Sequence, residues 1–264
     1  MSNTSRNLCG TFERSAAFYD VIHADKDYDS EAAVVAHNLR LADDMRVIEF
    51  GAGTGGFTRR IADRGFRVVA TDPSRQMTEI AIAKASGNPQ IRHLQCGIEN
   101  WIDAFDGEGI NIPFHAGLCM FGAMSYAASA RYNSLVSCLK SVRGLLYYNA
   151  RFLFDVVNTG FCSRDMSAFS SRKAFEFNGQ VVERMVRKRF DYNSGVQVID
   201  IHFATPDDQW DEIHVMRAFT PAEVCLAADQ AKFKVETQFS GGADRETVRV
   251  EASDYMFTTL LVAK

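Results

Sequence analysis

The chemistry of this chain is first legible in an acid, a set of glycines and a second acid. Val47-Ile48-Glu49-Phe50-Gly51-Ala52-Gly53-Thr54-Gly55 runs from an apolar strand into a glycine-rich turn. A second apolar run, Val68-Val69-Ala70-Thr71, ends on Asp72. Gly51, Gly53 and Gly56 fit the G-x-G-x-x-G spacing of a dinucleotide turn, in which a helix N-terminus receives a pyrophosphate. Glu49 argues against that ligand. Its carboxylate stands at the mouth of the turn, where it repels a pyrophosphate and attracts an ammonium. Asp72 ends the second strand, where a carboxylate accepts hydrogen bonds from both hydroxyls of a ribose. S-adenosylmethionine meets both demands, since it joins an ammonium and a sulfonium to an adenosine.

Several other side chains are candidates for work on a second substrate. His23 follows the first helix and either touches the acceptor or is a surface histidine. Asp155 lies near the C-terminal end of a strand, where open α/β sheets place ligands. It is either a catalytic carboxylate or one held by backbone amides. On a strand over 212–219 the side chains alternate, which puts Ile213, Val215, Arg217 and Phe219 on one face and Glu212, His214 and Met216 on the other. Arg217 is expected on the apolar face, paired with a substrate anion or with a protein carboxylate. His214 is a base or a solvated residue. Asp200 and His202 share a face and form a proton-abstracting pair or a solvent face. Arg184, Arg187, Lys188 and Arg189 make a basic strand that grips a diphosphate or protects a sheet edge. Tyr126 and Trp101 lie just past strand ends and can line a cleft. The cysteines (Cys9, Cys96, Cys119, Cys138, Cys162 and Cys225) form no C-x-x-C pair and no metal-like spacing with histidine, so no metal site is expected. They read as buried thiols of a reducing cytoplasm.

The elements that must position these groups alternate. Strands are expected at 46–50, 67–71, 91–95, 116–120 and 152–157, with helices at 31–39, 55–64, 75–85 and 130–142 between them. A short helix at 11–24 precedes them. This β-α-β-α order implies a parallel, doubly wound α/β sheet. From Gly160 the pattern changes to three expected antiparallel strands, 181–190, 197–203 and 212–219, with turns at Asn193-Ser194-Gly195 and Pro206-Asp207-Asp208. Pro221 then starts a helix behind Thr220 as cap. Strands 233–240 and 255–263 close the chain as an antiparallel pair, with a polar loop over 241–251 between them.

Glu49-x-Gly51-x-Gly53-x-Gly55 followed by Asp72 resembles the first two motifs of the class I S-adenosylmethionine-dependent methyltransferases. The likeness runs from about residue 16 to 157. It is closer to a small-molecule group that includes sugar N,N-dimethyltransferases. Phe18–Tyr28, Met120-Phe-Gly-Ala-Met-Ser-Tyr126, Glu212-Ile-His-Val-Met-Arg-Ala-Phe219 and the ending Ser253–Lys264 carry that closer likeness.

The resemblance implies a Rossmann-like, seven-stranded sheet with a small antiparallel β insertion after strand five. It divides the chain into a lid and cofactor core (1–160), an acceptor-site cover (161–219) and a closing helix and strands (220–264). It implies that Gly51, Ala52 and Gly53 approach the methionine moiety and that Asp72 holds the ribose. Pro73 and Met77 flank the adenine, Gly97, Ile98 and Glu99 face its edge, and Met120 and Phe121 offer carbonyls to the ammonium. Tyr19 and Tyr28 close over the cofactor. Relatives usually carry an acid at the position of Gly97, so Glu99 or Asn100 must replace it or a hydrogen bond is lost.

Size and charge agree with a small-molecule enzyme. The 264 residues suit one α/β domain with an embellishment, or at most two domains. Apolar residues make 47% of the chain and charged ones 23%, enough for a large core. A net charge of −4 without a long basic block argues against nucleic acid or an anionic membrane as partner. No long apolar run and no signal-peptide core is visible, which predicts a cytoplasmic protein. The expected partner is a small polar acceptor, such as the amine of a sugar or nucleotide-linked sugar, with a hydroxyl as the alternative. A non-catalytic cofactor-binding protein and an NAD-dependent dehydrogenase are the rival classes. A homodimer stays open.

Overall fold

The computed structural model describes residues 8–129, 134–164, 170–240, 250–251 and 253–264. The loop expected over 241–251 and the start of the helix expected from 130 fall largely outside them. In chain order the elements open with β1 (Leu8–Cys9), a 3-10 turn (Ser15–Phe18), α1 (Tyr19–Ile22) and α2 (Tyr28–Leu39). The alternating core follows: β2 (Arg46–Phe50), α3 (Gly56–Ala62), β3 (Arg67–Asp72), α4 (Arg75–Lys84), β4 (Ile91–Gln95), α5 (Trp101–Gly107), β5 (Phe114–Cys119), α6 (Ala123–Ala127), α7 (Leu135–Gly144) and β6 (Leu146–Asn158). After α8 (Thr159–Cys162) come β7 (Ser170–Phe177), β8 (Gln180–Asp191), β9 (Val196–Ala204) and β10 (Gln209–Phe219). The chain ends with α9 (Pro221–Gln230), β11 (Phe233–Ser240) and β12 (Met256–Ala263).

Local chemistry sets several of these bounds. Ser74 caps α4 by accepting the Met77 amide, and Ser134 caps α7 by accepting that of Ser137. Thr220 and Glu223 form a reciprocal capping box ahead of α9, with Pro221 in the first turn. The core strands β4-β3-β2-β5-β6 are mutually parallel, and β12 joins β6 antiparallel with β11 outside it. Successive strand residues serve opposite faces. Ile48 and Phe50 pack with α7 and α9 residues such as Leu139 and Val224. Val47 packs with α2 and α3 residues such as Val35 and Ile61.

The sheet is larger than the expected seven strands. Hydrogen bonding continues from the end of β6 into β10, through Ala218↔Val157 and Phe219↔Asn158, and the whole sheet counts twelve strands. The antiparallel part holds β7 in addition to the three strands expected. It carries its own apolar layer, with Phe203, Trp210 and Met216 at its centre. Two expectations are corrected here. The basic strand β8 is not an edge, because β7 and β9 flank it. On β10 the buried face is the opposite one: Glu212, His214 and Met216 are buried, whereas Ile213 and Val215 are each 38% exposed.

Candidate functional site

The parallel strands end at a cavity of about 470 Å³, within the ~300–1,000 Å³ range of small-molecule sites. Its floor is the turn after β2, where Gly51 and Gly53 take positive φ (70° and 56°). Asp72 stands beside them at the end of β3. Its Oδ2 accepts the Gly53 amide (2.9 Å) and its Oδ1 accepts the Ser74 amide (2.8 Å). Each oxygen keeps a lone pair for a further donor. Burial raises the Asp72 carboxyl, against the two amide hydrogen bonds. Pro73 and Met77 line the wall next to Asp72.

The loop after β4 brings Gly97, Ile98 and Glu99 to the cavity. A Cβ on Gly97 would lie 2.7 Å from both carboxylate oxygens of Glu99, so Glu99 fills the space that a side chain at 97 would take. Asn100 is already committed, because its Oδ1 accepts the Gly97 amide (2.7 Å).

Glu49 is buried, and its Oε2 makes no hydrogen bond. Burial pushes its carboxyl up to about 7, with Thr58 acting in the opposite direction. It does not line the cavity, nor does Ala52, which packs into the core. An orphaned carboxylate oxygen thus lies behind the glycine turn. Asp72 and Glu99, which do line the cavity, fit the cofactor expected from the sequence. Tyr19 lines the cavity. Tyr28 does not, for it packs on the helix side of the turn, where a Cβ on Gly56 would lie 3.3 Å from its ring.

Across the cavity, Met120 and Phe121 follow β5. Phe121 and Gly122 both take positive φ (62° and 78°). Asp155 holds them there: Oδ2 accepts the Phe121 amide (2.9 Å) and Oδ1 that of Gly122 (2.6 Å). Burial raises the Asp155 carboxyl to about 6, against those two amides. Both oxygens are thus engaged in fastening a turn, which corrects the expectation of a catalytic carboxylate.

The far end of the cavity is aromatic. Phe12, Tyr19 and Tyr126 line it together with Val215. Tyr126 Oη lies 2.9 Å from His214 Nδ1, and His214 Nε2 lies 3.2 Å from Glu212 Oε2. Glu212 is fully buried, yet its carboxyl is lowered. Burial raises it, but hydrogen bonds from His214 and Ser15 outweigh that. Its Oε1 accepts the amides of Arg14 (3.1 Å) and Ser15 (2.8 Å), and its Oε2 also accepts Ser15 Oγ (2.6 Å). Phe12, at φ 58°, sets its ring edge-on to His214 (4.5 Å between centroids).

The remaining candidates sit elsewhere. His23 packs at a tilt against Tyr19 (4.5 Å between centroids) instead of lining the cavity, and burial pulls its imidazole down to about 4. Arg217 is paired within the protein, to Glu223 Oε1 (3.1 Å) and the Gly195 carbonyl (3.1 Å). His202 bonds Asp211 (2.8 Å) and Asp200 bonds Arg189 (2.9 Å), so the expected His202–Asp200 pair does not form. Arg184 turns inward on β8, half-buried, and its Nε has no hydrogen-bond partner among the described residues. The Glu212–His214 pair was visible in outline, because residues two apart on a strand share a face. Ser15 and Phe12 gave no sequence signal.

Residues 47–142 match the family model described as a methyltransferase domain. The Bacillus subtilis protein YqeM, a methyltransferase by name, is 28% identical over 145 residues, 55% of each chain. The chain spans about half the length of the curated relatives it matches. Among solved structures, the CcbJ methyltransferase from Streptomyces caelestis superposes with a TM-score of 0.75 at 17% identity, covering 96% of this chain and 97% of that one. CalS10, an amino pentose methyltransferase from Micromonospora echinaspora, gives 0.71 at 16% over 93% and 96%. The sugar N-methyltransferase KedS8 from Streptoalloteichus gives 0.69 at 16% over 93% and 92%. At these identities the structures show a shared fold. Residues 47–142 thus match a methyltransferase domain, and the chain shares its fold with solved S-adenosylmethionine-dependent methyltransferases.

Proposed function

We propose that this protein is a class I S-adenosylmethionine-dependent methyltransferase that methylates the amino group of a small polar acceptor, a sugar or nucleotide-linked sugar. The observation that carries this reading is that Asp72 and Tyr126 line one and the same cavity. The Asp72 end offers lone pairs to a ribose, and Glu99 and Met77 suit an adenine. The bound cofactor supplies an activated methyl group, so the protein's task is mainly to align a nucleophile with it. The other end has three aromatic rings, Phe12, Tyr19 and Tyr126. Such rings attract a protonated amine, which favours nitrogen over oxygen as nucleophile. The descriptions of CalS10 as an amino pentose methyltransferase and of KedS8 as a sugar N-methyltransferase agree with a sugar amine.

In this reading β2 to β6 with β11 and β12 form the methyltransferase core, and β7 to β10 are an insertion that covers the acceptor. Residues 1–160, 161–219 and 220–264 then divide the work as lid with core, cover, and closing strands. The inward Arg184 supports an acceptor with an acidic substituent, such as the diphosphate of a sugar nucleotide. All six cysteines are free, which supports a reducing, cytoplasmic setting. No helix among the described residues is long and apolar enough to cross a membrane.

The test is mass spectrometry of the protein with S-adenosylmethionine and a panel of simple amines, free amino sugars, nucleotide-linked amino sugars and their hydroxyl counterparts. A gain of one or two methyl masses on an amino sugar, with release of S-adenosylhomocysteine, is expected. A gain on the hydroxyl compounds alone would replace nitrogen by oxygen. Tight cofactor binding without turnover on any compound would remove the sugar-amine assignment.

A further inference from the structure

We propose that Tyr126, His214 and Glu212 form a proton relay that deprotonates the acceptor, and that Ser15 on the N-terminal segment holds its carboxylate in place. The proposal rests on reading the aromatic end of the cavity as the acceptor site. Its starting point is an accounting of hydrogen bonds. A carboxylate has about four acceptor positions. On Glu212 these are taken by Arg14 N, Ser15 N, Ser15 Oγ and His214 Nε2. A buried carboxylate surrounded by donors stays ionised, so the proton between Glu212 and His214 belongs to Nε2. That assignment fixes the tautomer. His214 Nδ1 is then the acceptor, and the Tyr126 hydroxyl must donate to it across 2.9 Å.

A hydroxyl that donates its only proton backwards turns its lone pairs forwards. Tyr126 lines the cavity, so its oxygen offers an acceptor there to an N–H of the bound amine. The balanced step follows. An ammonium N–H bond breaks and its proton joins the Tyr126 oxygen. The Tyr126 O–H bond breaks in the same movement and that proton joins His214 Nδ1. The amine keeps the electron pair as its nucleophilic lone pair. Tyr126 is neutral before and after, and the imidazolium formed on His214 lies against ionised Glu212. His214 returns the proton to the buffer once product has left. The phenol is held far above its ordinary value by burial, so it carries the proton onward and does not rest as a phenolate.

The N-terminal segment is part of this device. Ser15 contributes two of the four donors to Glu212, and Phe12 covers His214 edge-on. Only while residues 12–15 lie on β10 is the carboxylate held in this orientation. Tyr126 is the catalytic residue. Glu212 and Ser15 are positioning residues, acting through His214. The other ionisable groups turned towards the relay are Arg184 across the sheet, Tyr19 and Tyr255 against Tyr126, and Arg14 and Cys9 against Glu212.

Nitrogen-15 NMR of the imidazoles, with His214 assigned through His214→Gln, tests the relay without any acceptor. The expected spectrum shows His214 protonated on Nε2 and bare on Nδ1. Tyr126→Phe should shift the Nδ1 resonance. Ser15→Ala should weaken Nε2–H protection, and Ser15→Thr should restore it. A His214 protonated on Nδ1 overturns the proposal.

Kinetics on a nucleotide-linked amino sugar give a second arm. General bases contribute about 10²–10⁴-fold. Tyr126→Phe, which removes one oxygen and leaves the ring, should therefore lower kcat about 100-fold or more, with S-adenosylmethionine affinity within threefold of wild type. Its acidic limb should no longer be that of the wild-type relay. Ser15→Ala should fall several-fold and displace the same limb. Full activity and an unchanged limb in Tyr126→Phe would overturn the relay while leaving the methyltransferase reading intact. Failure of the wild-type protein on every amine would instead strike that reading, and the NMR arm would still decide the tautomer.

Discussion

Asp72→Asn is the sharpest probe of the cofactor end. Asp72 already accepts the amides of Gly53 and Ser74, one on each oxygen. A ribose with two hydroxyls can use the lone pairs that remain. Asparagine keeps one oxygen and replaces the other by an NH₂ group, which faces a backbone N–H as donor against donor. One hydrogen bond from a hydroxyl to a charged acceptor is thereby lost, worth about 1.5–3 kcal/mol. At about 1.4 kcal/mol per decade, the cofactor should bind about 10- to 150-fold more weakly. Titration calorimetry with S-adenosylhomocysteine measures this directly. It belongs at pH 8, because burial raises the Asp72 carboxyl and its ionised form must be populated. Thermal unfolding of the free variant is the control, since the amides of Gly53 and Ser74 also lose an acceptor. A variant that binds within twofold of wild type at similar Tm would refute the ribose assignment.

The remaining perturbations separate the other roles. Glu49 has its folded carboxyl raised to about 7, above the ~4.3 of a free glutamate, so the folded state binds the extra proton. Its contribution to stability is present below the unfolded value and lost as pH rises through about 7; Glu49→Gln should flatten Tm against pH over that window. Glu99→Ala should weaken cofactor binding about tenfold by removing an acceptor for the adenine edge, and adding Gly97→Asp should restore it, since the space beside residue 97 is vacated; calorimetry reads both. Arg217→Ala should cost about 1–3 kcal/mol of stability through lost hydrogen bonds from a charged group, while the acceptor KM stays within twofold, contrary to what a substrate-anion partner requires. Asp155→Asn should lower Tm and cofactor affinity together, whereas a lowered kcat alone, with both of those intact, would return Asp155 to a direct catalytic role.

The parallel half was legible because its signals are local. Strands such as Arg46–Phe50 are apolar on both faces, and capping residues such as Ser74 and Thr220 mark where helices begin. The antiparallel half was legible only in part, since β8, β9 and β10 were expected and β7 was not. Ser170–Phe177 carries arginine, lysine and glutamate beside its two phenylalanines, and most of the strand is exposed, so no apolar run announces it. On β10 the alternation was read correctly but the wrong face was assigned to the interior. Ile213 and Val215 outweigh Glu212 and His214 on any hydropathy scale. The polar pair is nonetheless the buried one, because Ser15, Arg14 and Tyr126 satisfy it from distant parts of the chain. Burial of polar groups depends on partners, and partners two hundred residues apart leave no trace in a local pattern. The partner of Arg217 was hidden differently. Thr220 was evident as a helix cap, but nothing in the sequence marked Glu223 for a bond to a strand residue.

The two ends of the cavity are mechanically one object. Gly51 closes against Ala123, since a Cβ on that glycine would stand 2.3 Å from the alanine's. The cofactor turn therefore rests on the first residue of α6, the helix that carries Tyr126. Asp155 fastens the same helix from below through the amides of Phe121 and Gly122. Phe121 at positive φ is an unfavourable conformation for a side chain of that size, and it persists because the surrounding bonds determine it. Loosening that turn moves Phe121 at the cofactor wall and Tyr126 at the acceptor wall in a single displacement. This explains why Asp155 should act on cofactor affinity and on relay geometry at once, without touching either ligand. It also explains why a buried carboxylate is kept at the end of a core strand. A hydrophobic side chain there would pack as well, but would leave two buried amides without an acceptor and the helix free to shift.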